Sequence, residues 1–508
     1  MAINETYDTV VGLEVHARLL TKSKLFSSDS NAFGSSPNTE ISPVTLAHPG
    51  TLPKMNKKAI EFAIKMGLAC HCEIVKQNYF ARKNYFYPDL PKGYQLSQHT
   101  TPICRGGFVT IKIEGVEKNI RLNRIHLEED AGKSLHDVDE NNTALDFNRA
   151  GTPLIEIVSE PDISSSEEAY SFLTEIRKLV RYLEICDGNM EEGSLRCDAN
   201  ISVRKKNDAV LGTRVEIKNL NSIRNVKKAV DLESKRLIGL LENGETVLQQ
   251  TRSFDPASGG TTFPMRDKEE ADDYRYFPEP DLTPFHLQDD FIETIRQAIP
   301  VLQPERIKKY ISVYKLSEYD AEVLTEEKKL SDYFEQVVIG LNSFPPPPEG
   351  LPADQAGAGG GPKAAANWML GPVKSWMNEH NKDLPAGQAG INEFPLTPLT
   401  IASLIELVSS SKVSFTAAST KIFPALLTNP EKDPGQLAVE MNLLQVSDIS
   451  SLEILIDRVL EKYPEKVIEY KKGKKGLLSL FVGEVMKASK GKADPKITND
   501  LLTGKLKS

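Results

Sequence analysis

From Thr9 to Leu19 apolar and polar residues alternate: Val11, Leu13, Val15, Ala17 and Leu19 on one parity, Gly12, Glu14, His16 and Arg18 on the other. A β-strand turns successive side chains to opposite faces, so this spacing predicts a strand with one buried and one polar face. The pattern recurs. Leu195, Cys197, Ala199, Ile201 and Val203 alternate with Arg196, Asp198, Asn200, Ser202 and Arg204. Arg214, Glu216 and Lys218 share one parity of a further strand, 213–218. Glu156 interrupts the apolar run Leu154-Ile155-Glu156-Ile157-Val158, and Arg124-Ile125-His126-Leu127-Glu128-Glu129-Asp130 ends in acids. Joined in one sheet, these strands give a face rich in carboxylates, with an imidazole and several cations.

That mixture suits chemistry on a magnesium-bound nucleotide. Mg²⁺ takes oxygen ligands and keeps waters, so one or two carboxylates plus phosphates suffice, and Arg and Lys neutralise a phosphoryl group in transfer. A half-exposed antiparallel sheet also carries charge merely to face water. Glu156 is different, because an acid among aliphatic neighbours is costly to bury unless paired or metal-bound. Ala131-Gly132-Lys133-Ser134 ends like a phosphate-binding loop, but the position of its first glycine is Leu127. Cys70-His71-Cys72 is too closely spaced for a zinc knuckle. From Phe80 to Gln95 aromatics interleave with cations, and Pro88, Pro91 and Gly93 predict a shaped loop rather than a regular element. Its Arg82, Lys83, Tyr85, Tyr87, Lys92 and Tyr94 are candidates to clamp an RNA 3′ end by stacking and phosphate contact.

The organisation is α+β. A hairpin is expected over 107–114 and 118–127, a strand over 153–158, and helices over 167–185 and 224–241. Ser165 with Glu168 forms a capping box, and Asp187-Gly188 closes the first helix. From Ile292 the pattern turns helical. The proline run 345–348, the Gly/Ala-rich stretch to Pro362 and the paired strings at 352–357 and 385–390 read as flexible insertions. The expected domains are a sheet domain at 1–291, a helical domain at 292–410 and a small helical tail at 411–508. The chain is acidic overall, at −9, yet from Lys471 onward it holds ten Lys against three acids. Lys471, Lys472, Lys474 and Lys475 are therefore candidates to neutralise an RNA backbone. No apolar run is long enough for a membrane span, and five sparse cysteines with no signal-like start fit a cytoplasmic protein.

Several long strings carry a resemblance to a known family. They are Val11 to His16, Phe80 to Gln98, His126 to Lys133, Asp146 to Asp162, Met190 to Asn200, Arg214 to Ser222 and Asp273 to Asp281. In these the chain resembles the GatB family, the B subunits of the aspartyl/glutamyl-tRNA amidotransferases. The resemblance implies a glutamine-synthetase-like catalytic cradle built on an antiparallel sheet, then a helical domain, then a helical tail that touches tRNA. It implies ATP-dependent phosphorylation of the side-chain carboxylate of Glu-tRNA(Gln) or Asp-tRNA(Asn), followed by displacement of phosphate by ammonia. The implied partners are an amidase-type glutaminase subunit, a small third subunit and aminoacyl-tRNA, with no membrane and no DNA. The implied Mg²⁺ ligands are Glu14, His16, Glu156 and Glu129, with Glu128 as the rival of Glu129. Arg196 and Asp198 join them as catalytic candidates. The insertions depart from the family pattern and leave these motifs intact. A free-amino-acid ligase would not need the basic tail, and a non-catalytic scaffold would not need Glu14, His16 and Glu156.

Overall fold

A computed structural model describes residues 6–136, 138–256, 260–267, 274–344, 361–380, 391–445, 449–489, 493 and 495–507. The proline run 345–348, the strings at 352–357 and 385–390, and Asp273 lie outside the described residues. Two compact units emerge, Met1–Leu302 and Gln303–Ser508.

The first unit is built on one large, mainly antiparallel sheet. Its principal strands are β1 (Tyr7–Arg18), β2 (Ala81–Asn84), β3 (Tyr94–Ser97), β4 (Phe108–Ile113) and β5 (Val116–Glu129). They continue with β6 (Pro153–Ser159), β7 (Leu195–Lys205), β8 (Val215–Leu220), β9 (Gln250–Asp255), β10 (Thr261–Asp267) and β11 (Phe277–Pro278). The order across the sheet is β10-β9-β8-β7-β1-β6-β5-β3-β2-β11, and β4 pairs with β5. The expected strands all form, and β4–β5 is the expected hairpin, turned at Glu114 and Gly115 in the left-handed region. β1 is central, and Val11, Leu13, Val15, Ala17 and Leu19 are fully buried. Helices α1 (Lys57–Ala69), α2 (Ser166–Tyr182) and α3 (Ile223–Glu242) contribute buried residues to the same core. The opposite parity of β1, with Gly12, Glu14, His16 and Arg18, is half-exposed.

Three local expectations change. The 80–95 stretch is not a loop throughout, since β2 and β3 pair with Ala81 opposite Ser97 and Lys83 opposite Gln95. Pro88 and Pro91 fall in the connection between them, where a missing N–H breaks no ladder. β8 and β9 run parallel, a pairing that requires a crossover, and α3 lies between them in the chain. Helix α2 stops at Tyr182, ahead of Asp187-Gly188, because Glu184 already takes a left-handed φ of 56°. At its start the Ser165 hydroxyl accepts the Glu168 N–H at 3.1 Å. The Glu168 carboxylate, drawn to Lys118 at 2.7 Å, accepts from the Ser164 N–H rather than from Ser165.

The helix Asp289–Gln297 buries Ile292 and Ile295 in the first core, so that unit continues past the expected boundary at 291. In the second unit, residues from Tyr310 to Ala438 share a core that includes Phe334, Trp368 and Leu404. Val413, Ile422 and Leu426 belong to it, so the packing changes between Ala438 and Leu452 rather than at 411. The last core joins Leu452, Ile456, Phe481, Val485 and Leu502.

Candidate functional site

Register, more than composition, assembles the polar face. His16 stands opposite Glu156 on β6 and opposite Arg196 on β7. Glu156 in turn stands opposite His126 on β5. One row across four strands is therefore His126, Glu156, His16, Arg196. In the adjoining row Glu14 faces Asp198, and Asn200 faces Glu216 one step further along. Cross-strand partners on one face lie close enough to interact, so two groups of donors result.

The first group is His16, Glu128 and Glu156. His16 Nε2 lies 3.5 Å from Glu156 Oε2 and 3.6 Å from Glu128 Oε1. His126 completes the group, with Nε2 at 3.3 Å from Glu156 and 3.7 Å from Glu128. Its ring is buried, and its Nδ1 has no hydrogen-bond partner among the described residues. Burial opposes charge on every member, but the opposite charges outweigh it. The His126 imidazole is pushed up to about 9 by Glu156 and Glu128, against burial. His16 is raised by Glu156, Glu128 and Asp198, also against burial. Burial raises the Glu156 carboxyl, yet His126 and His16 hold it well below the usual range.

The second group is Glu14, Asp198 and Glu216, whose carboxylate oxygens lie within 4.8 Å of one another. Asn200 donates to Glu14 at 2.8 Å, Thr251 to Glu216 at 2.8 Å, and Lys218 to Asp198 at 2.6 Å. Lys218 is pushed up to about 12: burial lowers it, while Asp198 and Glu216 raise it by more.

The donor sets fit divalent cations. Three carboxylates offer the all-oxygen environment that Mg²⁺ takes, and the His-containing group admits Mg²⁺ or Mn²⁺. The resemblance implied one ion for Glu14 and His16; the structure puts them in neighbouring groups. It also separates the two candidate acids of β5. Glu128 joins His16 and Glu156, whereas Glu129 points to the parity of Ile125 and Leu127. There Glu129 is paired with Lys92 and accepts the Leu96 N–H at 2.9 Å. With Lys24, Lys92 and Tyr94 it lines a cavity of about 220 Å³.

The six aromatic and basic candidates divide in the same way. Arg82 grips the buried Glu279 through two bonds of 2.7 and 2.8 Å and stacks over Tyr94 at 4.3 Å. Lys83 is on the other parity of β2, within 4.9 Å of the Tyr274 ring centre and 6.0 Å of that of Tyr85. Tyr85 leads edge-on to the exposed Tyr87 on one side and to Tyr274 on the other, and Tyr276 continues the row to His99. Arg196 pairs with Asp130 at 2.9 Å. Burial raises the Asp130 carboxyl, but Arg196 and Arg149 bring it below its ordinary value. Cys70 and Cys72 are buried thiols, Cys72 pushed up to about 12 by burial. In the second unit Lys471, Lys472, Lys474 and Lys475 are all exposed, and Lys474 reaches Glu469 at 3.2 Å.

His126 and Glu216 were visible as residues but not as site members. Their membership follows from which strand lies beside which, and alternation within one strand carries no such information. Lys218 and Tyr274 depend on the same long-range pairing.

Residues 9–293 match the family model described as the GatB/GatE catalytic domain, and residues 353–506 match the GatB domain model. Among curated relatives, an aspartyl/glutamyl-tRNA(Asn/Gln) amidotransferase B subunit of Thermodesulfovibrio yellowstonii is 46% identical over 98% of each chain. The protein of that name from Alkalilimnicola ehrlichii is 47% identical over 99% of this chain and 100% of its own. Syntrophotalea carbinolica has another, 46% identical over 98% of each. With its catalytic-domain model matched from the first strand of the sheet to the helix at 289–297, and with such relatives along almost its whole length, this chain belongs to the family of aspartyl/glutamyl-tRNA(Asn/Gln) amidotransferase B subunits.

Proposed function

We propose that this chain is the ligase subunit that converts Glu-tRNA(Gln), Asp-tRNA(Asn) or both into the amidated aminoacyl-tRNA. It uses ATP to phosphorylate the side-chain carboxylate and ammonia to displace the phosphate. The supporting observation is the pair of donor groups side by side on one sheet face, His16/Glu128/Glu156 and Glu14/Asp198/Glu216. A carboxylate attacking a triphosphate brings two anions together, and divalent cations between them neutralise that repulsion. Glu128, Glu156 and His16 would hold one ion, and Glu14, Asp198 and Glu216 another. Bound there, Mg²⁺ supplies Lewis acidity to the phosphoryl oxygens. Asn200, Thr251 and Lys218 orient the second set of carboxylates, and His126 orients the first.

In this reading Glu128, not Glu129, belongs to the ion. The aromatic row Tyr87, Tyr85, Tyr274 and Tyr276 receives the acceptor end of the tRNA. The exposed lysines 471, 472, 474 and 475 neutralise its backbone. Ammonia comes from an amidase-type partner, with a small third subunit in the complex, and the site of action is the cytoplasm. The test is ATP turnover by the chain assembled with its partners, measured with Glu-tRNA(Gln), with free glutamate and with neither. Turnover only with the aminoacyl-tRNA is expected. Turnover with free glutamate would make the chain an amino-acid ligase instead, and no turnover in any arm would make it a scaffold.

A further inference from the structure

Lys83 is unlike Arg82, Lys92, Arg196 and Lys218 of the same unit, each of which forms an ion pair with a carboxylate. Lys83 forms no hydrogen bond or ion pair through its side chain with the described residues, although Glu128 and Glu156 lie within its electrostatic reach. The register explains the placement. Lys83 faces Gln95, Ala81 faces Ser97, and Ser97 faces Glu128, so all of these side chains share the carboxylate face. The rings explain the absence of pairing. The ammonium sits over Tyr274 and beside Tyr85, and the Tyr85 hydroxyl is tied to Gln95 at 3.3 Å. An ammonium over an aromatic face is held by the ring quadrupole, in this case short of the carboxylates that attract it.

A divalent cation held by Glu128 and Glu156 would repel the Lys83 ammonium, and an anion bound by both would relieve that repulsion. We propose that Lys83 is a catalytic residue that contacts the oxygens of the transferred phosphoryl group, held in place for that purpose by Tyr85 and Tyr274. The inference rests on the ATP-dependent reading above and names one of its groups.

The chemistry balances without proton transfer by Lys83. A side-chain carboxylate oxygen bonds to the γ-phosphorus, the bridging P–O bond breaks, and ADP leaves with the electron pair. Ammonia nitrogen then bonds to the acyl carbon. The carbon–oxygen bond to phosphate breaks, phosphate leaves with that pair, and the nitrogen gives a proton to solvent. Negative charge builds on phosphate oxygens as the second bond breaks, and a fixed ammonium stabilises it there.

The experiment uses the chain assembled with its partners, Mg-ATP, Glu-tRNA(Gln) and ammonium chloride, so that no glutaminase step intervenes. Lys83→Met should lower kcat on the order of a hundredfold, as for loss of one preorganised charge, while the KM for aminoacyl-tRNA stays within about twofold. Mn²⁺ should bind the nucleotide-free variant more tightly than wild type, because a repelling cation is gone. A raised KM with kcat intact would overturn the proposal and make Lys83 a tRNA contact. Unchanged kcat and KM would overturn it too. If wild type itself shows no ATP turnover with Glu-tRNA(Gln), the function proposed above fails, independently of Lys83. A second measurement needs no turnover: Mg-ADP-fluoroaluminate with aminoacyl-tRNA should bind Lys83→Met about tenfold or more weakly than wild type, and equal affinity would refute the contact.

Discussion

Glu156 shows what one residue's surroundings determine. The sequence marks it as an acid in an apolar run, and that was enough to single it out. Its partners, His126 one strand away on one side and His16 on the other, came only with the fold. Glu156→Gln keeps shape and removes charge, so ATP- and tRNA-dependent amidation should fall on the order of a hundredfold or more. Assembly with the partner subunits, read by gel filtration, should persist. The metal-free protein should also show a pH signature. The His126 imidazole is raised to about 9, above its ordinary 6.5, so its contribution to stability is complete below about 6.5 and vanishes as pH rises through about 9. The depressed Glu156 carboxyl acts at the other end, its contribution lost as pH falls below the usual carboxylate range. The difference in Tm between wild type and His126→Asn, without metal, should therefore shrink between about pH 6.5 and about 9.5. A constant difference would mean that the buried pair carries no net charge attraction.

Among elements, those whose information is local were legible. Helix α2 announced itself through apolar spacing and Ser165, β1 and β7 through alternation, and β6 through its apolar run. Removing the Ser165 hydroxyl leaves the Glu168 N–H without its acceptor. Ser165→Ala should destabilise the first unit by about 1 kcal/mol, a typical N-cap loss, measured as a lower urea midpoint with an unchanged slope. The β2–β3 pair was hidden because its strands are four residues each and Pro88 and Pro91 dominate the stretch between them. Parallel β8–β9 was hidden for another reason: direction of pairing is set by the route of α3 over the sheet, not by either strand's composition.

At the scale of the whole chain, the acidic balance concealed a division of charge. The four exposed lysines at 471–475 stand in a unit separate from the carboxylate face. Replacing all four by Gln should raise the KM for aminoacyl-tRNA and flatten its salt dependence by roughly one unit of slope per lost phosphate contact. The kcat should not change. An unchanged KM and slope would leave the lysines as solubilising charge. Without its partners the chain should hydrolyse no glutamine, and ammonia released from glutamine by the purified chain would contradict the proposed division of labour. The boundaries between units were the least legible feature. Ile292 and Ile295 are helical residues that bury in the first unit's core, on a helix packed against α1, and periodicity alone assigns them to whatever helices follow.

Glu128 and Glu129 are neighbours in the chain, yet one reaches His16 and Glu156 and the other reaches Lys92. The sheet is a partition between them, and only the reading frame of the strand decides which acid serves which side. A substitution on that strand alters one side chain. Deleting a single residue between Arg124 and Glu128 would exchange the two compartments for every residue up to the next turn. A deletion scan should therefore find this strand less forgiving than a substitution scan does, even at a residue of the strand as exposed as Asn123.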